Sequence, residues 1–163
     1  MRAVVLGIGN IILSDEGIGV RAVEAFEQRY RLPEDVLAID GGTSSMELID
    51  ELSNLDFLLV FDTIVAGKPP GTVIRLAGDE VPAFFRRKLS PHQISLSDLL
   101  ASLEFLGQAP KDIVVLGVQP VTLELGMELT EPVAVRVPEL VEMGAAEFAA
   151  RGCSLEPHSA EAA

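Results

Sequence analysis

The chain is poor in cysteine, in positive charge and in histidine, and each shortage excludes something. One cysteine, Cys153, among 163 residues rules out an internal disulfide framework and fits a reducing compartment, so a cytoplasmic location is expected. Twelve Lys and Arg against 25 Asp and Glu leave a formal net charge of -13. A phosphate backbone would be repelled by that field, and the Arg86-Arg87-Lys88 triplet is too short to form a local basic patch, so no nucleic-acid partner is expected. Nor is any apolar run long enough to span a bilayer. The stretch AVVLGIGNIIL after Arg2 superficially resembles a signal peptide. Gly and Asn interrupt it, however, and Ser14-Asp15-Glu16 stands where a small-residue cleavage site belongs. Membrane insertion is therefore not expected.

What the chain does have is hydrophobic residues, 48% of the total, at a length suited to one domain with a substantial core. They are arranged in alternating periods. RAVVLG (residues 2–7), VLAID (36–40), FLLVFD (57–62), GTVIRL (71–76) and IVVLGV (113–118) are short apolar runs bounded by turn residues, which reads as strands, several of them buried on both faces. Between them, Val20, Val23, Phe26 and Tyr30 recur at helical spacing among Arg21, Glu24, Glu27 and Arg29, predicting an amphipathic helix over 17–31. Ser44 with Glu47 offers a capping box for a helix to about Leu52, and Ser95 with Asp98 a cap for one carrying Leu96, Leu99, Leu100 and Leu103. ELVEMGAAEFAARG after Pro138 reads as a closing helix. Residues 1–152 are thus expected to form a single α/β domain, and 153–163, rich in Ser, Glu and Ala, a disordered tail.

Strands alternating with helices imply a mostly parallel, twisted sheet covered on both faces, in which ligands bind beyond the carboxyl ends of the strands. That rule directs attention to Gly9 to Gly19, Asp40 to Thr43, Asp62 to Val65 and Gln119-Pro120. The first of these, GIGNIILSDEGIGV, partly matches a dinucleotide fingerprint through Gly7 and Gly9, but Ile12 occupies the third glycine position. Asp15 and Glu16 would also stand where a pyrophosphate must sit, placing like charges together. No organic cofactor is expected. The same two acids have a purely structural reading, since a carboxylate in a first helical turn complements the macrodipole. Asp62 follows five apolar residues at the end of a central strand, where an unpaired carboxylate is costly. Of two histidines, His158 falls in the presumed tail and His92 in the Ser90-Pro91-His92-Gln93 loop before a helix. One imidazole and two carboxylates at loop ends make a mixed nitrogen and oxygen set suited to nickel, zinc, iron or manganese, with coordination positions left for water or substrate. Other hydrolytic routes have less support. No G-x-S-x-G elbow is present, Cys153 is too near the tail to be a promising nucleophile, and Asp62-Thr63-Ile64 lacks the glycine of an aspartic-protease turn.

Taken in order, GIGNIILSDEGIGV, Asp40-Gly41-Gly42-Thr43, the strand ending in Asp62, the loop containing His92, and Gly117-Val118-Gln119-Pro120 resemble the hydrogenase maturation protease family over nearly all of residues 2–150. The resemblance implies a three-layer α/β/α sandwich. It also implies an endopeptidase that removes the C-terminal extension of a nickel-iron hydrogenase large-subunit precursor after nickel insertion, the nickel being carried by the precursor. In that family the residues matching Glu16, Asp62 and His92 bind metal, which makes these three the candidate catalytic and metal-binding residues here. Thr63 stands where the family often has alanine, and Thr130 where it often has serine. The alternative carried forward is a nickel-dependent chaperone that binds the precursor without cutting it.

Overall fold

The computed structural model describes residues 1–43, 46–87 and 91–158, without the side chains of 46, 83, 85–87 and 91–95. Strand β1 (Ala3–Ile8) is buried along its whole length, as an uninterrupted apolar run in the middle of a parallel sheet should be. A single 3-10 turn, Ser14–Gly17, leads into α1 (Ile18–Arg29), which buries Ile18, Val20, Ala22, Val23 and Phe26. The chain continues through β2 (Tyr30–Arg31), β3 (Val36–Gly42), β4 (Phe57–Thr63), β5 (Val73–Ala77) and α2 (Glu80–Arg87). It then forms α3 (Pro91–Phe105), β6 (Ile113–Val118), α4 (Glu131–Ala134), α5 (Val137–Ala150) and β7 (Glu156–Pro157).

Five strands form one sheet in the order β3-β1-β4-β6-β5. All neighbours pair in parallel except β5, which runs antiparallel to β6 at the edge. Alternate residues of the central strands feed two cores. Val5, Phe57, Leu59, Phe61 and Leu116 pack with Phe26 of α1 and Leu140 and Phe148 of α5. Val4, Leu6, Leu58, Val60 and Val115 pack with Val81 of α2 and Leu96, Leu99 and Leu103 of α3. This is the expected three-layer α/β/α sandwich with a mostly parallel sheet. The feature that positions the site is strand order: the connection from β1 leaves toward β3, and the chain returns to place β4 on the other side of β1. The carboxyl ends of β1 and β4 are therefore the topological switch point, where the general rule for such sheets places a ligand.

Helix α1 reaches the sheet only because Gly19 has no side chain. A Cβ there would overlap the carbonyl oxygens of both Ile8 and Phe61, so the helix start lies directly on the ends of β1 and β4.

Four local expectations require correction. The helix expected to Leu52 is instead a 3-10 turn, Met46–Leu48, followed by turns. Leu48, Leu52 and Leu55 still dock into the core, but Asn54 adopts a positive φ of 58° and ends any helical run. Ser44, the expected cap, lies outside the described residues. Helix α3 begins at Pro91 rather than at a Ser95 cap, with proline favoured in a first helical turn, so His92 stands on the helix and not in a loop before it. Finally, the tail is not irregular from Cys153 onward. Tyr30 pairs with Pro157 and Arg31 with Glu156 in an antiparallel ribbon, and Cys153 and Leu155 pack against the α1–α5 core. Residues 159–163 of the expected tail lie outside the described residues.

Candidate functional site

Glu16 is carried by the 3-10 turn between β1 and α1, and Asp62 stands near the end of β4, paired in register with Gly117 of β6. Because β1 and β4 are hydrogen-bonded neighbours, two acids remote in sequence are brought close enough for the Glu16 charge to act on Asp62. The turn is held in place by close backbone approach. Gly9 has φ 144°, and a Cβ on it would collide with the Glu16 carbonyl oxygen, so the loop after β1 folds back directly onto the residue bearing the acid. Ser14 takes up a positive φ of 53°, an uncommon conformation for a residue with a side chain.

Both acids are buried, with Glu16 4% and Asp62 3% exposed. The Thr63 amide donates to Asp62 Oδ1 at 2.8 Å, whereas Oδ2 is buried with no hydrogen-bond partner among the described residues. Loss of solvation raises the Asp62 proton affinity most, the nearby Glu16 charge raises it further, and the Thr63 amide opposes both. The carboxyl group is held well above its usual range. A buried carboxyl whose ionised form is disfavoured, standing beside a second buried acid, is suited to receiving a cation.

Asp15 is arranged quite differently from its neighbour. It is fully buried at 0% exposure, and its carboxylate accepts from the amides of Val121 (2.8 Å), Thr122 (3.3 Å) and Thr130 (2.8 Å) and from the Thr130 hydroxyl at 2.8 and 3.0 Å. The Thr63 hydroxyl donates to the Asp15 carbonyl at 2.9 Å. Asp15 therefore ties the turn carrying Glu16 to both the end of β4 and the 119–130 loop. Read from the residues alone the two adjacent acids are alike, only the family resemblance singles out Glu16, and the role of Asp15 was missed. The available signal was the pair of threonines at 63 and 130, the two positions at which the chain departs from the family's frequent residues: both hydroxyls converge on Asp15.

The remaining strand-end segments are structural in their described contacts. Gln119 is buried, and its Oε1 accepts from the amides of Ala66 at 2.8 Å and Lys68 at 3.3 Å, holding the loop after β4. Asp40 is exposed and receives the Gly42 amide at 3.0 Å. His92 belongs to the first turn of α3, and its side chain lies outside the described residues. Among the described residues no three His, Cys, Asp or Glu side chains are grouped as a metal ion requires. A groove of about 560 Å³ between Val81, Leu100 and Ile113 lies at the opposite, amino-terminal edge of β6 and contains neither site acid. Among the described residues no helix is long and apolar enough to cross a membrane.

Comparison with known proteins gives a consistent result. Residues 20–147 match the family described as Hydrogenase maturation protease. The chain is 46% identical over 161 residues to the Hydrogenase 2 maturation protease of Escherichia coli (strain K12), covering 98% of each. It is 40% identical over 161 residues to the hydrogenase expression/formation protein HupD of Bradyrhizobium diazoefficiens, covering 98% of this chain and 84% of that protein. Among solved structures, the hydrogenase maturating endopeptidase HybD from E. coli superposes with a TM-score of 0.93 at 45% identity, covering 97% of this chain and 98% of that one. The [NiFe] hydrogenase maturation protease HybD from Thermococcus kodakarensis gives 0.69 at 26% identity, over 88% and 97%. The matched family segment includes Asp62 and His92 but begins after Glu16, whereas the E. coli likeness covers nearly the whole chain.

Proposed function

The chain belongs to the hydrogenase maturation protease family, and from that premise we propose that it is the endopeptidase that removes the C-terminal extension of a nickel-iron hydrogenase large-subunit precursor after nickel insertion. The observation that carries this reading is the Glu16–Asp62 pair: two buried acids, one on the turn between β1 and α1 and one near the end of neighbouring β4, with an Asp62 oxygen that no described group satisfies. Nickel arrives with the precursor as part of the substrate, and Glu16, Asp62 and His92 complete its coordination. Their role is to hold the adjacent scissile peptide in register, converting recognition of a loaded precursor into correct placement of one bond. An open coordination position also allows the ion to polarise that carbonyl or to activate water. The lone thiol fits a reducing compartment, which supports a cytoplasmic reaction.

The test is to mix the purified chain with matched nickel-loaded and nickel-free precursor and to follow intact mass, with Glu16→Ala, Asp62→Ala and His92→Ala alongside. Shortening of the nickel-loaded precursor alone, lost in all three variants, is the expected result. Equal shortening of the nickel-free precursor would remove the metal from recognition. A cognate precursor that binds but keeps its full mass would leave a chaperone.

A further inference from the structure

On the turn that carries Glu16 and on the 121–127 segment bonded to it, the chain exposes a group of apolar side chains. Ile12 is 45% exposed, Val121 47%, Leu123 39%, Leu125 81% and Met127 59%. Isolated exposed hydrophobics are ordinary, but a contiguous group marks an interaction surface. This group is also fixed in place. The Ser14 amide donates to the Gly126 carbonyl at 2.8 Å, the Gly126 amide to the Ile12 carbonyl at 2.9 Å, and the Ser14 hydroxyl to the Glu124 carbonyl at 2.7 Å. Leu13 and Gly126 form a parallel bridge, and the closeness is obligatory, since a Cβ at Gly126 would press on the Ser14 hydroxyl. With the Asp15 hydrogen bonds to Val121, Thr122 and Thr130, these contacts make the 121–127 segment a ledge built onto the same turn that carries Glu16.

We propose that this ledge is the docking surface for the precursor polypeptide beside the bond to be cut, and that it takes an extended, apolar segment carrying a lysine or arginine. The inference rests on the endopeptidase reading and deepens it by naming what the site recognises besides its metal. Two observations select that occupant. The ledge is continuous with the acid pair through the Ser14–Glu16 turn, so a polypeptide delivered to Glu16 and Asp62 lies across it. Its polar members are also of one sign: Glu124, Glu128 and Glu131 are exposed, and residues 112–135 contain no lysine or arginine. Apolar anchors supply the affinity of such a surface, and its acids select the partner's charge.

The experiment measures KM and kcat for nickel-loaded precursor with the wild-type chain and with Leu125→Ser, Met127→Ser and the double variant. Phe105→Ser, a comparable loss from a 91% exposed residue at the far end of α3, serves as the control. Removing two anchors should raise KM by about tenfold or more with kcat within about twofold, while Phe105→Ser changes neither. Glu124→Lys should raise KM further at low salt than at high salt. Unchanged KM in the double variant would overturn the proposal. So would a wild-type dimer that the double variant converts to monomer at assay concentration, because a second copy would then occupy the ledge. If the wild-type chain leaves the precursor uncut, the endopeptidase reading fails on its own and direct binding still reads the ledge. Precursor binding weakened about tenfold in the double variant supports the docking surface; equal binding, or no binding by wild type, refutes it.

Discussion

Replacing Asp15 by alanine tests whether the site turn and the ledge are one mechanical unit. The substitution removes a buried carboxylate that receives three amides and one hydroxyl. Hydrogen bonds to a charged acceptor contribute about 1.5–3 kcal/mol each, and a buried donor left without a partner carries a comparable penalty. The Thr122 contact, at 3.3 Å, is the weakest, and the partly buried donors on the 121–130 segment recover some of the loss by turning to water. The expected destabilisation is about 3–5 kcal/mol, near the upper end for a single substitution. For a chain of this size it lowers Tm by roughly 10 °C. Urea unfolding followed by circular dichroism measures it, and limited proteolysis within 121–130 shows where the structure loosens. Thr130→Val, which removes only the hydroxyl, should lose about 1–2 kcal/mol, and Thr130→Ser should restore most of it. A loss below about 1 kcal/mol in Asp15→Ala, with unchanged cleavage in 121–130, would show that the loop holds its place without the carboxylate.

Asp62→Asn should be more stable than wild type at neutral pH. Burial and Glu16 raise the folded carboxyl's proton affinity, so in the pH window between the ordinary and the raised value the folded state holds a proton that the unfolded chain has released. Wild-type stability therefore falls as pH rises from the ordinary value near 3.8 through the raised folded value. The amide keeps the Thr63 bond and removes the charge, giving a gain on the order of 1–3 kcal/mol at pH 7 that vanishes at or below the ordinary value, together with loss of precursor cleavage. Equal urea midpoints at pH 7 would contradict this. Gly19→Ala drives a methyl group into the carbonyls of Ile8 and Phe61 and should cost about 3 kcal/mol while pushing α1 off the sheet, read as lower Tm and lower kcat together. Arg151 lies over the Phe57 ring at 4.1 Å and pairs with Asp112 and Glu147. Arg151→Ala should lose about 1–2 kcal/mol in thermal unfolding without altering cleavage.

The layers were legible in sequence because they follow from burial on two faces, and the strand-end rule pointed to the segments carrying Glu16 and Asp62, which only the family resemblance joined into one site. β1, β4 and β6 show as unbroken apolar runs, and Asp62 is conspicuous at the end of one of them. Segments whose conformation is set by docking were not legible. Leu48, Leu52 and Leu55 are spaced like a helix face, yet they reach the core from a series of turns. Helix α2 contains Pro82 and an Arg pair and is too short for its apolar residues to show a sustained helical period. The roles of Asp15 and Glu16 cannot be separated by composition, because what distinguishes them is which one faces three distant amides.

The β1–β4 pairing has a consequence for the order in which the protein assembles. Ala3 pairs with Phe57 in parallel, across an intervening stretch that must itself form α1 and β3, and such non-local pairings form slowly because loop closure precedes any reward. Glu16 and Asp62 are not brought together until that ladder closes. A partly folded chain accordingly carries the two carboxylates as separate, hydrated acids, and the acid pair comes into being only with the completed sheet.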